Sequence, residues 1–596
     1  MSIGKRKNNK VLQTLFFRLL PVQVLIIASG SINAIADGAV AGRFIGADAV
    51  GVIGLFSSME RIFEAVGAVL IGGSAVLCGT SLGQGDHSRT RGIFSLNLAI
   101  TVLAGIFLTI ANSIAAGPSA ALMGAGTPVL KRALMSYERG YAFGIIPMLL
   151  AQQLAAFLQM QSCFKRSYAG MAVMTGSNIL FNLLFVTKLH MGLFGLALAT
   201  SVSNWLYLIV LIIPFLKKDS LLSFRFSEIL WSAFGEMMTT GFPGALLVFC
   251  LAIRYLIINR LLLAYAGNTG LSAMSAFNMV TILLICIPMG TGSVVRMLTS
   301  VFIGEEDAAS IRGLFRIVFT RVMAVCILIG ILLLLFAGDL AGIFITDRTS
   351  EVFYVTRRLF SLYSVCIPFV LICSFTSGYF QALRRKAFVN LVSVFDGLVS
   401  MVVPAALLTP FLGAEGVWIS LVLGIVLTAS LGPLYSVKCC GHIPSSLSEC
   451  LLLPQVFPEP EKPHVALTVR NMEEVSEASR EVHSFCSSHE ISGVTALFSA
   501  LCIEEMAGNI VRHGFRSGRS SRSIDIIARI VGKGKIFLRV RDDCIPFNPI
   551  QWAQHMSDAE PFSHIGIRMV LGMARDVEYQ NLLGMNVLTM VVEDER

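Results

Sequence analysis

The sequence predicts an all-α polytopic membrane domain followed by a small soluble α/β sandwich, and three observations lead to this fold class. The 596-residue chain is 55% hydrophobic and only 14% charged, whereas a soluble domain carries about 25% charged residues. Apolar windows of about 20 residues, long enough to span a bilayer, recur until roughly residue 437. Beyond that point the chain becomes polar and alternates between strand-like and helix-like periodicity.

The first 437 residues contain about twelve windows that are long and apolar enough to cross a bilayer. Because this number is even, both ends of the domain should lie on the same side of the membrane. The helices are expected at roughly 13–38, 48–80, 92–117, 137–162, 167–187, 191–216, 240–265, 271–302, 313–338, 355–382, 388–411 and 414–436.

Basic residues indicate which side of the membrane holds the termini. An N-terminal cluster and the loops expected on its side are richer in Lys and Arg than the opposite loops, as positive-inside topology requires. We therefore predict a multi-pass protein of the cell (inner, cytoplasmic) membrane with both termini in the cytoplasm and the lipid bilayer as a partner. Nucleic acid is not expected as a partner, because no basic run is interleaved with aromatic residues.

The membrane part repeats itself at a fixed spacing. Gly192-x-x-Gly195 and Gly413-x-x-Gly416 lie 221 residues apart, and Gly46 and Gly267 share that spacing. A register held across a whole half predicts two six-helix repeats in the same orientation, at about 13–220 and 236–437. In such proteins the substrate pathway usually lies between the halves, and the halves rock against each other.

The domain boundaries follow from composition. We assign 1–437 to the membrane domain, the Pro-punctuated stretch 438–463 to a linker and 464–596 to the soluble domain. Within the soluble domain, periodicity predicts strands at 464–470, 523–531, 535–541 and 586–592 and helices at 473–488, 492–513 and about 566–576. That order of elements indicates a small α/β sandwich.

Ionisable side chains inside a span are costly and are therefore candidates for function. Asp37, near the outer end of the first helix, could exchange a proton or a cation, or could form a structural ion pair with Arg43. Glu60 and Glu64 lie one helical turn apart, so that both face one side of the second helix. They could line a cation pathway or pair with Arg61 or Arg254.

The remaining polar groups of the spans have a structural interpretation as well. In the second half, Arg254 and Arg296 could each neutralise an acid across the bundle, and Asp396 is the acid of that half. Asn178 and Asn182 are interpreted as interhelical hydrogen-bonding residues.

With these residues in view, the first 436 residues resemble the multidrug and toxic compound extrusion (MATE) family. The resemblance is carried by the glycine-spaced stretch Asp37–Gly46, by 72–86 and by 192–200. It implies efflux of drugs or organic cations, driven by H⁺ or Na⁺, with Asp37 as the coupling acid. The second half departs from the family, because Arg254 stands in the part of helix 7 where some members carry an acid. Members of the wider superfamily flip lipid-linked saccharides, which remains an alternative.

The soluble domain lacks a Walker phosphate-binding loop, so an ABC-type motor is excluded. Its second helix instead carries Glu505, Asn509 and His513 at i, i+4 and i+8, on one face. An amide oxygen such as that of Asn509 can ligate Mg²⁺, and a Glu one turn earlier can orient or deprotonate a hydroxyl for phosphoryl transfer.

Later residues add to this constellation. Asp542 ends a strand, where a carboxylate can accept a hydrogen bond from an adenine amino group. Gly566 opens the next helix, where backbone N–H groups can approach phosphates, and Arg568 follows it.

In that order the residues resemble the N, G1 and G2 boxes of the GHKL, or Bergerat-type, ATP-binding fold over about 465–592, most closely the anti-sigma-factor serine kinases. The resemblance implies ATP and Mg²⁺ as cofactors, with Glu505 as catalytic base, Asn509 as Mg²⁺ ligand and Asp542 as adenine partner. His513, Cys544, Gly566 and Arg568 complete the implied nucleotide site. Cys544 and His564 stand where the family has glycines, so binding without turnover is an open alternative.

Two functional hypotheses follow for the whole chain. In the first, a gradient-driven exporter is regulated by a cytosolic domain that senses ATP or phosphorylates a partner. In the second, the membrane half is a sensor, and the soluble half is a serine/threonine kinase acting on a partner of the anti-sigma-antagonist type. In both, the membrane half itself is not an enzyme.

Overall fold

The computed structural model describes residues 10–122, 128–217, 220, 222–345, 347–457, 463–517, 523–532, 534–555 and 565–593. These residues form two compact units. The larger comprises Leu20–Gln159 and Cys163–Leu453, and the smaller comprises the residues from Pro454 onward with short segments before Leu20 and at Met160–Ser162.

The first half of the larger unit is helical throughout its spans. Short π-helical segments at Ala41–Ile45 and Leu184–Lys188 extend two of its helices. The helices are α1 (Lys10–Val40), α2 (Ala47–Gly83), α3 (His87–Leu122), α4 (Pro128–Ala142), α5 (Ile145–Met160), α6 (Phe164–Leu183) and α7 (Gly192–Ile212).

The second half repeats this pattern with one long broken helix, α8, whose backbone leaves the helical region at Gly267. The helices are α8 (Phe234–Leu284), α9 (Cys286–Gly304), α10 (Ala308–Ile317), α11 (Met323–Leu335), α12 (Ala337–Phe344), α13 (Glu351–Ser364), α14 (Cys366–Ala382), α15 (Lys386–Val394), α16 (Ser400–Leu412) and α17 (Ala414–Cys440). Two short helices follow, α18 (Leu447–Cys450) and α19 (Leu453–Val456).

The number of predicted spans is confirmed for the described residues. Eleven helices are long and apolar enough to cross a membrane, but one of them, Gly493–His513, belongs to the smaller unit. The other ten, with the bent pairs α4–α5 (49°) and α13–α14 (53°), make twelve spans. One helix was predicted for each bent pair, at 137–162 and 355–382, and the structure divides each into two.

The predicted repeat is confirmed in the backbone. Gly46 and Gly267 have φ values of 129° and 57°, and Gly192 and Gly413 have values of 57° and 59°. Only glycine adopts such values without strain, so glycine-dependent turns recur at the same 221-residue spacing, with nearly the same φ at Gly192 and Gly413. Helix capping recurs as well, because the carboxylates of Asp86 and Asp307 each accept a hydrogen bond at 2.8 Å from the backbone N–H three residues later.

The smaller unit contains one antiparallel sheet of five strands in the order β1-β2-β3-β5-β4. The strands are β1 (His464–Val469), β2 (Ile524–Gly532), β3 (Lys535–Asp542), β4 (Arg575–Leu582) and β5 (Met585–Glu593). The helices are α20 (Met472–Ser487), α21 (Gly493–His513), α22 (Pro549–His555) and α23 (Ile565–Met573).

The core of the smaller unit lies between the sheet and its helices. Fully buried residues include Ile526 and Leu538 from the sheet and Val482 and Ile503 from the helices. The structure corrects one prediction for this unit. The predicted helix 566–576 ends at Met573, and the polar segment that follows it is an edge strand, β4, which hydrogen-bonds to β5.

Candidate functional site

Asp37 lies on α1 and is buried, with 7% of its surface exposed. Its two carboxylate oxygens accept hydrogen bonds from the Asn182 amide at 2.5 Å and from the Thr200 hydroxyl at 3.1 Å. Asn178 extends the cage by donating to Thr200 and by accepting from Asn182, each at 3.2 Å. The partners are all neutral, and the predicted alternative, an ion pair with Arg43, is wrong for the described residues.

One atom of this cage lacks a partner. The amide oxygen of Asn182 is buried and accepts no hydrogen bond among the described residues. A buried acceptor without a donor costs free energy, so its presence beside a buried carboxylate calls for an explanation. The two asparagines, which the sequence analysis took as general interhelical contacts, therefore surround the candidate acid itself.

Glu60 and Glu64 have separate surroundings despite their spacing of one turn. The Tyr141 hydroxyl donates to the Glu60 carboxylate at 2.9 Å, beside a buried apolar cluster that contains Phe56 and Phe63. Glu64 instead forms an exposed ion pair with Arg61 at 2.9 Å. Of the two acids, only Glu60 is held in the interior of the first half.

Arg254 does not pair with either of these glutamates. Its guanidinium donates to the backbone carbonyl of Asp396 at 3.0 Å. Both residues line a cavity of about 390 Å³ enclosed by helices of the second half.

Four glycines bring the two halves into close contact, and we refer to Gly73, Gly83, Gly241 and Gly304 as the glycine seal. A Cβ on Gly73 would lie 2.7 Å from the Met237 carbonyl carbon, and one on Gly83 would lie 2.9 Å from the Gly304 Cα. Such contacts leave no room for a side chain, so α2 packs backbone to backbone against α8 and α9.

An ion-pair cluster lies at the same end of the bundle as the glycine seal. Glu236 at the start of α8 accepts a hydrogen bond from Arg384 and lies 3.8 Å from the Arg89 guanidinium. The Lys386 ammonium donates to the Thr239 hydroxyl at 2.5 Å. The Arg89–Glu236 contact joins the first half to the second, and the other two lie within the second half.

A second cavity, of about 430 Å³, lies between the halves. It is lined mainly by apolar side chains of α2, α3 and α8, with Arg61 as its charged residue. A space closed at one end by backbone packing and lined by both halves fits the predicted pathway between the repeats.

The smaller unit holds a cleft of about 200 Å³ between α21, α22, α23 and the sheet. Four of the predicted nucleotide residues line it together: Asn509, His513, Asp542 and Cys544. Its remaining walls are mainly apolar or aromatic, and Trp552 and Ile567 contribute to them. An apolar slot with a few convergent polar groups is the usual form of a small-molecule site.

Asp542 is held at the wall of this cleft by a cross-strand partner. It faces Asn586 in the β3–β5 register, and the Asn586 amide donates to its carboxylate at 2.9 Å. The Asn586 amide oxygen in turn accepts from Tyr579 at 2.7 Å and from Asn581 at 2.8 Å. Burial raises the pKa of Asp542 above its ordinary value, although its hydrogen bonds from Asn586 and the Cys544 N–H oppose that shift.

Cys544 is accommodated by a glycine on the facing helix end. A Cβ on Gly514 would lie 2.9 Å from the Cys544 sulfur, so the thiol fills the space that a side chain would need there. The replacement of the expected glycine by Cys544 is thus compensated locally, and the cleft stays open.

Glu505 and Gly566 meet beside the cleft. A Cβ on Gly566 would lie 2.6 Å from the Glu505 carboxyl carbon, so the carboxylate rests against the first turn of α23. Neither Glu505 nor Arg568 is among the residues that line the apolar cleft. His564 lies outside the described residues.

Asn586, Tyr579 and Trp552 also line the cleft, although none of them was among the predicted site residues. A polar residue near the start of a mainly apolar strand was a usable signal for Asn586. No comparable signal existed for Trp552, because α22 was not predicted.

Comparison with known proteins places these sites in context. The chain is 21% identical over 331 residues to the probable multidrug resistance protein YoeA of Bacillus subtilis (strain 168), and the match covers 53% of this chain and 70% of that protein.

Solved structures share the fold of the larger unit. A MATE transporter in the straight conformation matches with a TM-score of 0.67 and 19% identity, over 74% of this chain and 99% of its own. A mutant of the Vibrio cholerae MATE transporter VcmN matches with a TM-score of 0.68 and 14% identity, over 73% and 99%. At such identities the likeness concerns the fold.

Family models match both parts of the chain. The model described as MatE matches residues 24–184 and 243–405, one segment in each half and together more than half of the chain. The model described as a histidine kinase-like ATPase domain matches residues 469–592. The chain therefore belongs to the MatE family of membrane transporters and carries a histidine kinase-like ATPase domain after its membrane spans.

Proposed function

We propose that the larger unit is a cation-coupled exporter of drug-like molecules or organic cations, with Asp37 as the coupling acid. The observation that carries the proposal is the neutral cage of Asp37, which includes an unpartnered amide oxygen on Asn182. A buried carboxylate without a cationic partner binds H⁺ or Na⁺ in place of one. The multidrug resistance assignment of the Bacillus relative supports the substrate class.

The coupling step follows from the hydrogen bonds of the cage. In the ionised state, the Asp37 carboxylate accepts from Asn182 and Thr200. Protonation of Asp37 turns one carboxylate oxygen into a donor. The unpartnered amide oxygen of Asn182 can accept this hydrogen bond after rotation of the amide. The cage therefore has two hydrogen-bonding arrangements, and its occupancy biases the packing of α1 against α6 and α7.

The pathway lies between the halves in this proposal, and the glycine seal closes its cytoplasmic end. The basic residues around Glu236, namely Arg89, Arg384 and Lys386, support that orientation, since cytoplasmic loops are rich in Lys and Arg. Opening the seal requires α2 to separate from α8 and α9, which is the rocking motion expected of a parallel repeat.

The test is substrate flux into proteoliposomes with an imposed proton or sodium gradient. Wild-type protein should accumulate a fluorescent organic cation, and Asp37→Asn should abolish gradient-driven accumulation while retaining the fold. Glu64→Gln is the matched control, because this carboxylate pairs with Arg61 at the surface and is not a hydrogen-bond partner of Asp37. Equal gradient-driven flux in wild type and Asp37→Asn would reject Asp37 as the coupling acid.

We propose that the smaller unit binds ATP with Mg²⁺ and regulates transport. The cleft supports this because a buried carboxylate, Asp542, lies among apolar walls suited to an adenine ring. Asn509 lines the same cleft and offers an amide oxygen to Mg²⁺. When bound, the nucleotide would supply a transferable phosphoryl group and a charge that orders the start of α23.

Nucleotide binding is measured on the full chain with a fluorescent ATP analogue. Asp542→Ala should weaken binding by about tenfold or more, the loss expected for a hydrogen bond to a charged group. Asp576→Asn is the control, because this exposed β4 residue has a positive φ (49°) that Asn adopts readily. Unchanged affinity in Asp542→Ala would refute the adenine assignment.

Serine kinase activity is a second proposal for this unit, favoured by the contact between Glu505 and Gly566. A carboxylate at the first turn of α23 is near the place where phosphates would lie, so that it could orient an attacking hydroxyl. Labelled ATP incubated with the full chain and a cytosolic extract should then label a protein on serine. Glu505→Gln should remove labelling at unchanged nucleotide affinity, whereas the adjacent Glu504→Gln should not. Equal labelling by both variants would refute the assignment.

A further inference from the structure

The cavity of the second half has an unusual balance of charge. Its volume is about 390 Å³, and most of its lining is apolar. The charged residues that line it are Arg254, Arg296 and Asp396, two guanidinium groups against one carboxylate. In a low-dielectric interior an excess cation is costly unless something compensates it.

Arg254 and Asp396 form one neighbouring pair, since the guanidinium donates to the backbone carbonyl of Asp396 at 3.0 Å. Arg296 is held differently. One of its terminal nitrogens donates to the Gln381 amide oxygen at 3.2 Å, and Gln381 donates to the Thr240 carbonyl at 3.0 Å. Its contact is therefore with a neutral amide, and no ion pair of Arg296 occurs among the described residues.

The Nε–H of Arg296 is buried and has no acceptor among the described residues. A guanidinium presents parallel N–H donors that fit the two oxygens of a carboxylate, or the oxygens of a phosphate. An unpartnered guanidinium donor on a cavity wall can bind a ligand that supplies an acceptor. The acceptor that fits it is an oxyanion.

The apolar lining supplies the other requirement for a ligand. Leu251, Met274 and Phe277 line the cavity on one side, and Val370 and Ile425 belong to other helices around it. The first half shows the opposite chemistry, because its interior ionisable groups, Asp37 and Glu60, are acids. The two halves thus share the same backbone fold but differ in the charged groups of their interiors, which are mainly acidic in the first half and mainly basic in the second.

We propose that the second-half cavity is a binding site for an amphipathic organic anion, with its oxyanion on Arg296 and its apolar body against the hydrophobic walls. The inference adds molecules that carry an acidic group to the drug-like substrates of the exporter proposed above. Its role in transport rests on that proposal. Binding itself requires no gradient and is measured separately.

The probe is dansyl-phenylalanine, which combines an aromatic body with one carboxylate, and its neutral amide is the matched control. Fluorescence titration uses the full chain in phosphatidylcholine nanodiscs without a gradient. The carboxylate probe should bind about tenfold or more tightly than the amide, because one charge-assisted interaction separates them. Equal affinity for the two probes overturns the proposal.

Variants of the arginine identify the residue responsible. Arg296→Gln should remove the preference for the carboxylate, whereas Arg296→Lys, which keeps the charge but lacks the parallel N–H donors, should retain only part of it. Arg321→Gln, an exposed arginine outside the cavity, should bind both probes as wild type does. If Arg296→Gln does not fold, Arg296→Lys still decides, because a partial loss of the preference supports the proposal and an unchanged preference overturns it. An undiminished preference in Arg296→Gln overturns the proposal.

Two further measurements identify the source of the anion and distinguish failure of this inference from failure of the proposed exporter. Displacement of the probe by phosphatidylglycerol in the nanodisc identifies a lipid phosphate as the occupant, and no displacement identifies a free small molecule. Either result supports the oxyanion site. Loss of probe binding with intact Asp37-dependent flux rejects this inference and leaves the exporter standing, whereas binding without flux rejects the exporter alone.

Discussion

Adding one methyl group to the glycine seal should shift the conformational equilibrium of the membrane half. A Cβ on Gly241 would lie 2.7 Å from the Val69 carbonyl carbon and 2.9 Å from the Gly73 nitrogen. Carbon atoms prefer separations of 3.5–4.0 Å, so Gly241→Ala requires α8 to move away from α2 by about 1 Å. The atoms in the way belong to the backbone, so side-chain rotation cannot relieve the clash.

Overpacking of this kind costs about 1–3 kcal/mol. That cost applies to the closed state, because the contact is lost when the seal opens. A bias of this size corresponds to about a 5- to 150-fold shift between the two states. Gly241→Ala should therefore populate the open-seal state strongly.

Hydrogen-exchange mass spectrometry in nanodiscs measures this shift. Peptides from the start of α8 and from the end of α2 should exchange faster in Gly241→Ala. Gly235→Ala is the matched control, since a Cβ on Gly235 meets nothing within 4 Å on the same helix. Alanine also has the better helix propensity, by about 1 kcal/mol, so the control should be neutral or stabilising. Unchanged exchange in Gly241→Ala at unchanged thermal stability would refute the reasoning.

Three further predictions concern the smaller unit. Asp542→Asn should raise its thermal stability by a few degrees while weakening ATP binding, because burial raises the pKa of this carboxyl and so favours an uncharged group. For the same reason the stability of the wild-type unit should fall as pH rises through that raised pKa. Gly514→Ala should cost about 1 kcal/mol through its contact with the Cys544 sulfur, and Cys544→Gly should recover part of that cost. Lys535 at 2.5 Å lowers the pKa of Glu593, so their stabilising contribution should be present above the unfolded pKa and lost as pH falls through the lowered one.

Thermal unfolding and nucleotide titration check these three. Destabilisation by Asp542→Asn would contradict the account of its burial. Additive effects of Gly514→Ala and Cys544→Gly would show that the thiol and the glycine do not interact. For the Lys535–Glu593 pair, Lys535→Ala should reduce the loss of stability at acid pH. An unchanged dependence of stability on pH would argue against the pair.

The twelve spans were predictable because a bilayer requires long apolar segments whatever their packing. The bends at 143–144 and at 365 were not, because each pair of helices is long and apolar enough as a whole to count as one span. Strand β4 was missed for the opposite reason. It is an edge strand with mostly polar residues, and its place comes from hydrogen bonding to β5, which lies after it in the chain.

The same distinction applies to the candidate sites, where single residues were predictable and their partners were not. Asp37 stood out because a charge in a span is rare. Its partners Asn182 and Thr200 lie 145 and 163 residues away along the chain, and only the fold brings them together. The cross-strand pairing of Asp542 with Asn586 depends likewise on a register that the sequence alone does not define.

The matched turns at Gly46 and Gly267, and at Gly192 and Gly413, bear on how such a chain could arise and be re-engineered. Duplication of one ancestral segment would give both copies the same glycine turns. The side chains of the two copies could then diverge. A synthetic tandem of two first halves should therefore still assemble twelve helices with every bend intact. It would contain two copies of the Asp37 cage and no arginine-lined cavity. The backbone fold and the chemistry of the cavities can therefore be changed independently.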